Sequence, residues 1–278
     1  MPLSSIACGY VAAAVRRPDR GMNPLPDCGV GLRPEQVEAR VPEPTRVIGP
    51  DDPGHAGQRH YTPTFLRIYD LLVLGLFTRI WRCPNRRLVA HYRRHIGRRH
   101  LDVGPGTGYF LRRAGLRADV DVTLLDPNPN VLAHAGRRLA PRAVTLWEAD
   151  VRAPLTGVDP FDSVALNYVL HCLPGPMSRK ADAIGHLAAV LHPDGVLFGA
   201  TVLGTPELHT PVSRLALRSN NRRGIFDNHA DTMDGLRAVL GRSFDTVAGE
   251  VVGSVAVFAA HDPRDQVTAA RARGSGSR

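Results

Sequence analysis

The stretch LDVGPGTGYF, Leu101 to Phe110, limits the fold more than any other part of the chain. An apolar run carrying one acid meets three glycines at alternate positions, and an aromatic pair follows. Glycine accepts positive φ and lets a bound molecule approach the backbone where a Cβ would clash. The stretch reads as a buried strand turning into a helix, and the sequence around it repeats that order. RRHLDVG, DVDVTLLD, RAVTLWEAD, PFDSVALNYVL and VLFGATVLG read as strands. TGYFLRRAGL, NPNVLAHAGRRLA and MSRKADAIGHLAAVLHPDG read as helices, the last closed by its Pro-Asp-Gly turn. Strands alternating with helices predict an α/β fold, a mostly parallel sheet with helices on both faces. Beyond a polar stretch from Thr205 to His229, DTMDGLRAVLGR reads as a helix. SFDTVAGEVVGSVAVFAA reads as a closing hairpin that turns near Gly249.

This core spans residues 98–262. Residues 1–58 are rich in Pro, Gly and charge without periodicity and read as an irregular or disordered extension, as does the tail 263–278. Residues 59–97 read as an N-terminal helical segment. Of the 278 residues, 43% are hydrophobic, enough for a core, yet no apolar run approaches the ~20 residues a membrane span needs. With no leading basic cluster at the N-terminus, a soluble, cytoplasmic protein is expected. Cys8, Cys28, Cys83 and Cys172 are scattered with no CxxC pair, so neither a zinc site nor a disulfide framework is expected. The net charge is +9, and residues 61–100 supply most of it with nine Arg against one acid.

The glycines Gly104, Gly106 and Gly108 follow G-x-G-x-G. A dinucleotide turn follows G-x-G-x-x-G, and Tyr109 stands where its third glycine would be. No GxxxxGK[ST] loop occurs either. The acids then select the ligand. Asp126 ends the second strand, where a carboxylate accepts two hydrogen bonds from ribose hydroxyls; it is also placed to cap the helix starting near Asn128. Asp150, in EADV, is placed to accept from an adenine amine with Val151 against the ring. Asn167 ends the fourth strand. Asp102 is placed to pair with an ammonium group. A ligand with ammonium, ribose and adenine in one molecule is S-adenosylmethionine.

In this order the motifs resemble the class I S-adenosylmethionine-dependent methyltransferases. LDVGPGTG is similar to the family's first motif, LLDPNP to its ribose motif, EADV to its adenine motif and FDSVALNYVLHCLP to its fourth-strand motif. LHPDGVLFGA resembles the turn before its fifth strand. The resemblance covers roughly residues 98 to 260. It implies a Rossmann-like seven-stranded sheet with an antiparallel final hairpin, S-adenosylmethionine as cofactor, and methyl transfer by in-line displacement to a small-molecule acceptor. Upstream, YDLLVLGLFTRIWR (Tyr69 to Arg82) is similar to the helix of the quinone C-methyltransferase branch. Its spacing differs, so only a lid-like role is carried over, with Tyr69 toward the substrate.

For the acceptor side, His171 lies just past the fourth strand and is a candidate general base, or a loop histidine packed beside the cofactor. His209 and His229 lie in the stretch where this family builds its substrate pocket. His91 and His95 share an i, i+4 spacing but have no third metal ligand in view, and an Arg-rich solvated helix face is expected there. No metal and no nucleic-acid partner are expected, because the basic segment has few aromatics to interleave with bases. Two rivals stand beside this reading: a nicotinamide-dependent oxidoreductase, disfavoured by Tyr109, and a non-catalytic binder with the same fold.

Overall fold

The computed structural model describes residues 78–264. Tyr69, the 1–58 extension and the tail from residue 265 onward lie outside the described residues. The strands are β1 (Arg99–Val103), β2 (Asp121–Leu125), β3 (Thr145–Trp147), β4 (Phe161–Asn167), β5 (Leu191–Val202), β6 (Phe244–Val252) and β7 (Val255–Pro263). They form one sheet in the order β3-β2-β1-β4-β5-β7-β6. β1 to β5 pair in parallel, and β7 lies antiparallel between β5 and β6. This is the Rossmann-like α/β sheet with an antiparallel closing hairpin that the sequence predicts.

The two-residue period of the strands sorts the side chains. Leu101 and Val103 of β1, with Val164 and Leu166 of β4, join a cluster with Ile184 and Leu187 of α5 (Met177–Ala188) and Leu236 and Leu240 of α7 (Met233–Leu240). The intervening Ala165, with Phe198 of β5, packs with α2 (Asn85–His95), α3 (Tyr109–Ala114) and α4 (Pro129–Leu139) through Tyr92, Leu111 and Leu132. Alternation therefore sets Asp102 and Asn167 on this second face of neighbouring strands. α2 is accordingly part of the packed core, with Leu88 and Tyr92 buried, and α1 (Thr78–Trp81) leads into it.

Four local expectations differ from the structure. The hairpin turns at Gly253–Ser254, not near Gly249. Gly253 has φ +65°, and a Cβ there would run into the Trp81 carbonyl, whereas Gly249 sits in β6 opposite Phe258. The Pro-Asp-Gly signal also lies elsewhere than expected: α5 stops at Ala188, and His192 to Gly195 form a bulge inside β5. Between Phe161↔Leu191 and Ser163↔Val196, β5 advances five residues while β4 advances two. The polar stretch after Thr205 holds α6 (Pro211–Arg222), N-capped by the Thr210 side chain. Its buried face is only Ser213 and Leu217, while Val212 and Leu215 are exposed, so no apolar period marks it. Finally, His91 and His95 do not lie on a solvated face. His91 Nε2 donates to the Phe258 carbonyl at 2.8 Å, and His95 stacks on Phe198 at 5.5 Å. Burial lowers the His91 pKa, and that of His95 to about 4.

The loop between α6 and α7 is fastened to the sheet. Lys180 Nζ of α5 lies 2.6 Å from Asp231 Oδ2 and 2.7 Å from the Asp227 carbonyl. Asn228 Nδ2 donates to the Val202 carbonyl at 2.9 Å. Gly204 N donates to the Asp231 carbonyl at 2.8 Å, and a Cβ on Gly204 would collide with the Asn228 carbonyl. The Lys180–Asp231 pair is fully enclosed, with 0% and 1% of the side chains exposed. Breaking such a pair from one side strands a buried charge, which costs ~3–5 kcal/mol. Urea unfolding of Lys180→Met should show a loss of that order, and adding Asp231→Leu should recover most of it.

Candidate active site

The sheet order reverses between β1 and β4, because β2 lies on one side of β1 and β4 on the other. Connections leaving these strands in opposite directions open a crevice at their carboxyl ends. Gly104 leaves β1 with φ +62°, and a Cβ on it would stand 2.5 Å from Val169 Cγ2, in the turn after β4. Gly106 and Gly108 also have positive φ, +55° and +73°, and Gly108 is the left-handed N-cap of α3. All three glycines of the opening motif thus hold conformations that side chains resist.

Asp102 is buried behind this turn. Its carboxylate accepts from the Tyr92 hydroxyl, at 3.2 Å to Oδ1 and 3.3 Å to Oδ2. Burial pushes its pKa up to about 8, against the Tyr92 bond that lowers it. Asp126 is half-buried at the end of β2. Its Oδ1 accepts from Asn128 N at 2.8 Å, while Asn128 itself caps α4 by accepting from Asn130 N at 3.0 Å. Burial raises the Asp126 pKa to about 7. Asn167 closes β4 with its amide buried, next to the Tyr92 hydroxyl that also reaches Asp102.

Asp150 is tied to a residue of its own turn. Arg152 grips its carboxylate through Nε at 3.0 and 3.1 Å and Nη2 at 2.7 Å, and Arg152 N donates to Oδ1 at 2.9 Å. A carboxylate offers about four acceptor directions, and Arg152 brings three N–H groups to them, so the carboxylate's first role is to hold its own turn. It braces the turn that carries Val151, which is buried and whose carbonyl lies 2.9 Å from His186 Nδ1. The sequence could not show this, because Arg152 reads as one more surface arginine.

On the acceptor side the three histidines separate. His229 is exposed on the α6–α7 loop, where side chains reach solvent, and the structure does not bring it into the site. His171 follows Tyr168, which turns the chain with φ +58°. The buried His171 Nδ1 accepts from Val202 N at 3.3 Å and lies 3.3 Å from Thr201 Oγ1. The neutral ring therefore carries its hydrogen on Nε2. Burial lowers its pKa to about 3, with the Lys180 charge adding to the effect. A ring whose basic nitrogen is already hydrogen-bonded does not serve as a general base, and packing beside the site is the role its geometry supports. His209 is buried against Trp81, edge-on at 5.8 Å. Phe226 lies 4.3 Å from His171 and 6.0 Å from Trp81 between ring centroids. Trp81, Phe226 and Tyr168 make an aromatic wall, and of these only Phe226 stands outside the motifs that the sequence singles out. Phe226 is held there because Asp227 N donates to the His171 carbonyl at 2.8 Å.

Residues 101–197 match the family model described as a methyltransferase domain. The methyltransferase verB of Penicillium polonicum is 38% identical over 226 residues, covering 75% of this chain and 99% of that protein. The demethylluteothin O-methyltransferase of Streptomyces thioluteus is 41% identical, covering 68% and 83%. Among solved structures, the N-methyltransferase NodS of Bradyrhizobium japonicum, in complex with S-adenosyl-L-homocysteine, superposes with a TM-score of 0.53 at 15% identity, covering 77% of this chain and 100% of that one. With the sheet order and the glycine turn, these likenesses settle the class: the chain belongs to the class I S-adenosylmethionine-dependent methyltransferase family.

Among the described residues no group of three or more His, Cys, Asp and Glu is placed to hold a metal ion, and no helix is long and apolar enough to cross a membrane. Of the arginines before β1, Arg93 donates to the Ala114 and Arg113 carbonyls at 3.0 and 3.1 Å, satisfying the end of α3. Because Asp102 is protonated in the folded protein up to pH about 8 but ionised when unfolded, its contribution to stability is present at low pH and lost as pH rises toward that value. Asp102→Asn should therefore raise the melting temperature of the free protein more at pH 8 than at pH 4. Melting curves at the two pH values check this.

Proposed function

We propose that this chain binds S-adenosylmethionine at the β1–β4 crevice and transfers its methyl group to a hydroxyl of a small, planar acceptor. The switch point between β1 and β4, where three left-handed glycines follow β1 and Gly104 lies against Val169, carries this reading. The residues present suit the cofactor. Gly104, Gly106 and Gly108 leave room for its methionine end, Asp102 is the partner for its ammonium, and Asp126 accepts from the ribose hydroxyls. Val151 offers an apolar surface to the adenine. When bound, S-adenosylmethionine supplies a methyl already activated on a sulfonium, so the protein mainly supplies position. Holding reactants in near-attack geometry is worth ~7–11 kcal/mol.

The acceptor class rests on two supports. Trp81, Phe226 and Tyr168 form an aromatic wall beside Asn167, a surface that favours a flat ring through stacked or edge contacts. Among the relatives, the Streptomyces thioluteus protein and the 36% identical physcion biosynthesis cluster O-methyltransferase of Aspergillus chevalieri are both described as O-methyltransferases. A soluble protein of the cytoplasm remains the expected setting.

Calorimetry tests the cofactor reading. The wild type should bind S-adenosylmethionine, and Asp126→Ala should weaken binding by about ten- to a hundredfold, as expected for lost hydrogen bonds to a charged group. A wild type that ignores the cofactor, or a variant that binds equally well, contradicts it. Pairing with the ammonium requires ionised Asp102, whose pKa lies at about 8 in the free protein. Binding at pH 7 should therefore release protons, measured in buffers of different ionisation enthalpy. Affinity should rise with pH up to about 8, and Asp102→Asn should flatten that rise.

A further inference from the structure

The two buried histidines beside the aromatic wall are wired in opposite senses. In His171 the backbone N–H of Val202 occupies Nδ1. In His209 it is Nε2 that is engaged, donating to the Leu203 carbonyl at 2.8 Å. A carbonyl only accepts, so Nε2 bears the hydrogen and Nδ1 carries a lone pair. That Nδ1 is buried and has no partner. The ring has little freedom to turn away. His209 N donates to the Pro206 carbonyl at 3.2 Å, closing the turn Pro206–Leu208. Arg82 Nη2 holds the Leu208 carbonyl at 2.7 Å, and Trp81 packs edge-on against the ring. A backbone carbonyl fixing one imidazole nitrogen, with the other left as an unpaired acceptor, is the arrangement that orients a general base.

We infer that His209 Nδ1 takes the proton of the acceptor hydroxyl. The inference rests on the hydroxyl-acceptor reading above. The O–H bond breaks, its proton goes to Nδ1 and gives an imidazolium, and its electron pair stays on oxygen to form the new bond to the methyl carbon. The pair of the broken carbon–sulfur bond stays on the donor sulfur, and the imidazolium proton later passes to solvent. The aromatic wall positions the acceptor, and His171 takes no part in the proton transfer.

The test uses His209→Gln, whose amide N–H can keep the bond to the Leu203 carbonyl while no base remains at Nδ1. Two acceptors are compared at neutral pH: p-cresol, which must lose a proton, and pentafluorophenol, which is already ionised. The variant should lose about 10²–10⁴-fold in rate with p-cresol and less than about tenfold with pentafluorophenol. A second readout needs no turnover. At mildly acidic pH, p-nitrophenol bound to the wild type should show the yellow phenolate spectrum, and bound to His209→Gln the neutral spectrum. Equal losses with both acceptors, or the same p-nitrophenol spectrum in both proteins, overturn the role of His209. A wild type that binds the cofactor and methylates neither phenol overturns the hydroxyl-acceptor reading instead, and the p-nitrophenol spectra still decide the role of His209.

Discussion

The close approach of Gly104 to Val169 sets the rest of the site. It brings the turn after β1 and the turn after β4 into contact where the sheet reverses order, and it works only because Gly104 has no Cβ. From that contact follow the places of Asp102 behind the turn, Asn167 at the rim and His171 one turn further on. The helices on the two faces are supports for this edge. Tyr92 of α2 reaches Asp102, while α5 sends Lys180 across to the loop that carries Phe226.

The site is assembled from groups that cost stability in the free protein. Asp102 and Asp126 are acids held with raised pKa values. Each is costly until a ligand meets it. The structure offsets these costs elsewhere, in the buried Lys180–Asp231 pair and in the Asn228 bond to β5. These hold the acceptor-side loop without relying on its exposed residues. The same economy separates the histidines: His171 uses its lone pair on the backbone, and His209 keeps its own.

What the sequence revealed was mostly what short-range order encodes. Strand–turn–helix alternation located β1, β2 and β4, and the G-x-G-x-G spacing marked the turn in which all three glycines have positive φ. Strand ends placed Asp126 and Asn167. What stayed hidden depends on contacts between distant segments. Gly249 and Gly253 are alike in sequence, and only the Trp81 carbonyl makes Gly253 the turn. α6 buries just two side chains, so no apolar stripe betrays it. Arg152 claims Asp150 through a side chain that no motif marks. His209 and His229 read alike as loop histidines, yet one is enclosed by Trp81 and the other is exposed, a difference set by the chain folding back from Arg82.

The central claim is that the β1–β4 crevice cradles the adenosyl cofactor. A crystal structure of the protein grown with S-adenosyl-L-homocysteine tests it most directly. The account requires the homocysteine end against Gly104, Gly106 and Gly108 and the ribose hydroxyls on Asp126. An adenosyl group seated elsewhere, with Asp126 untouched, would contradict it.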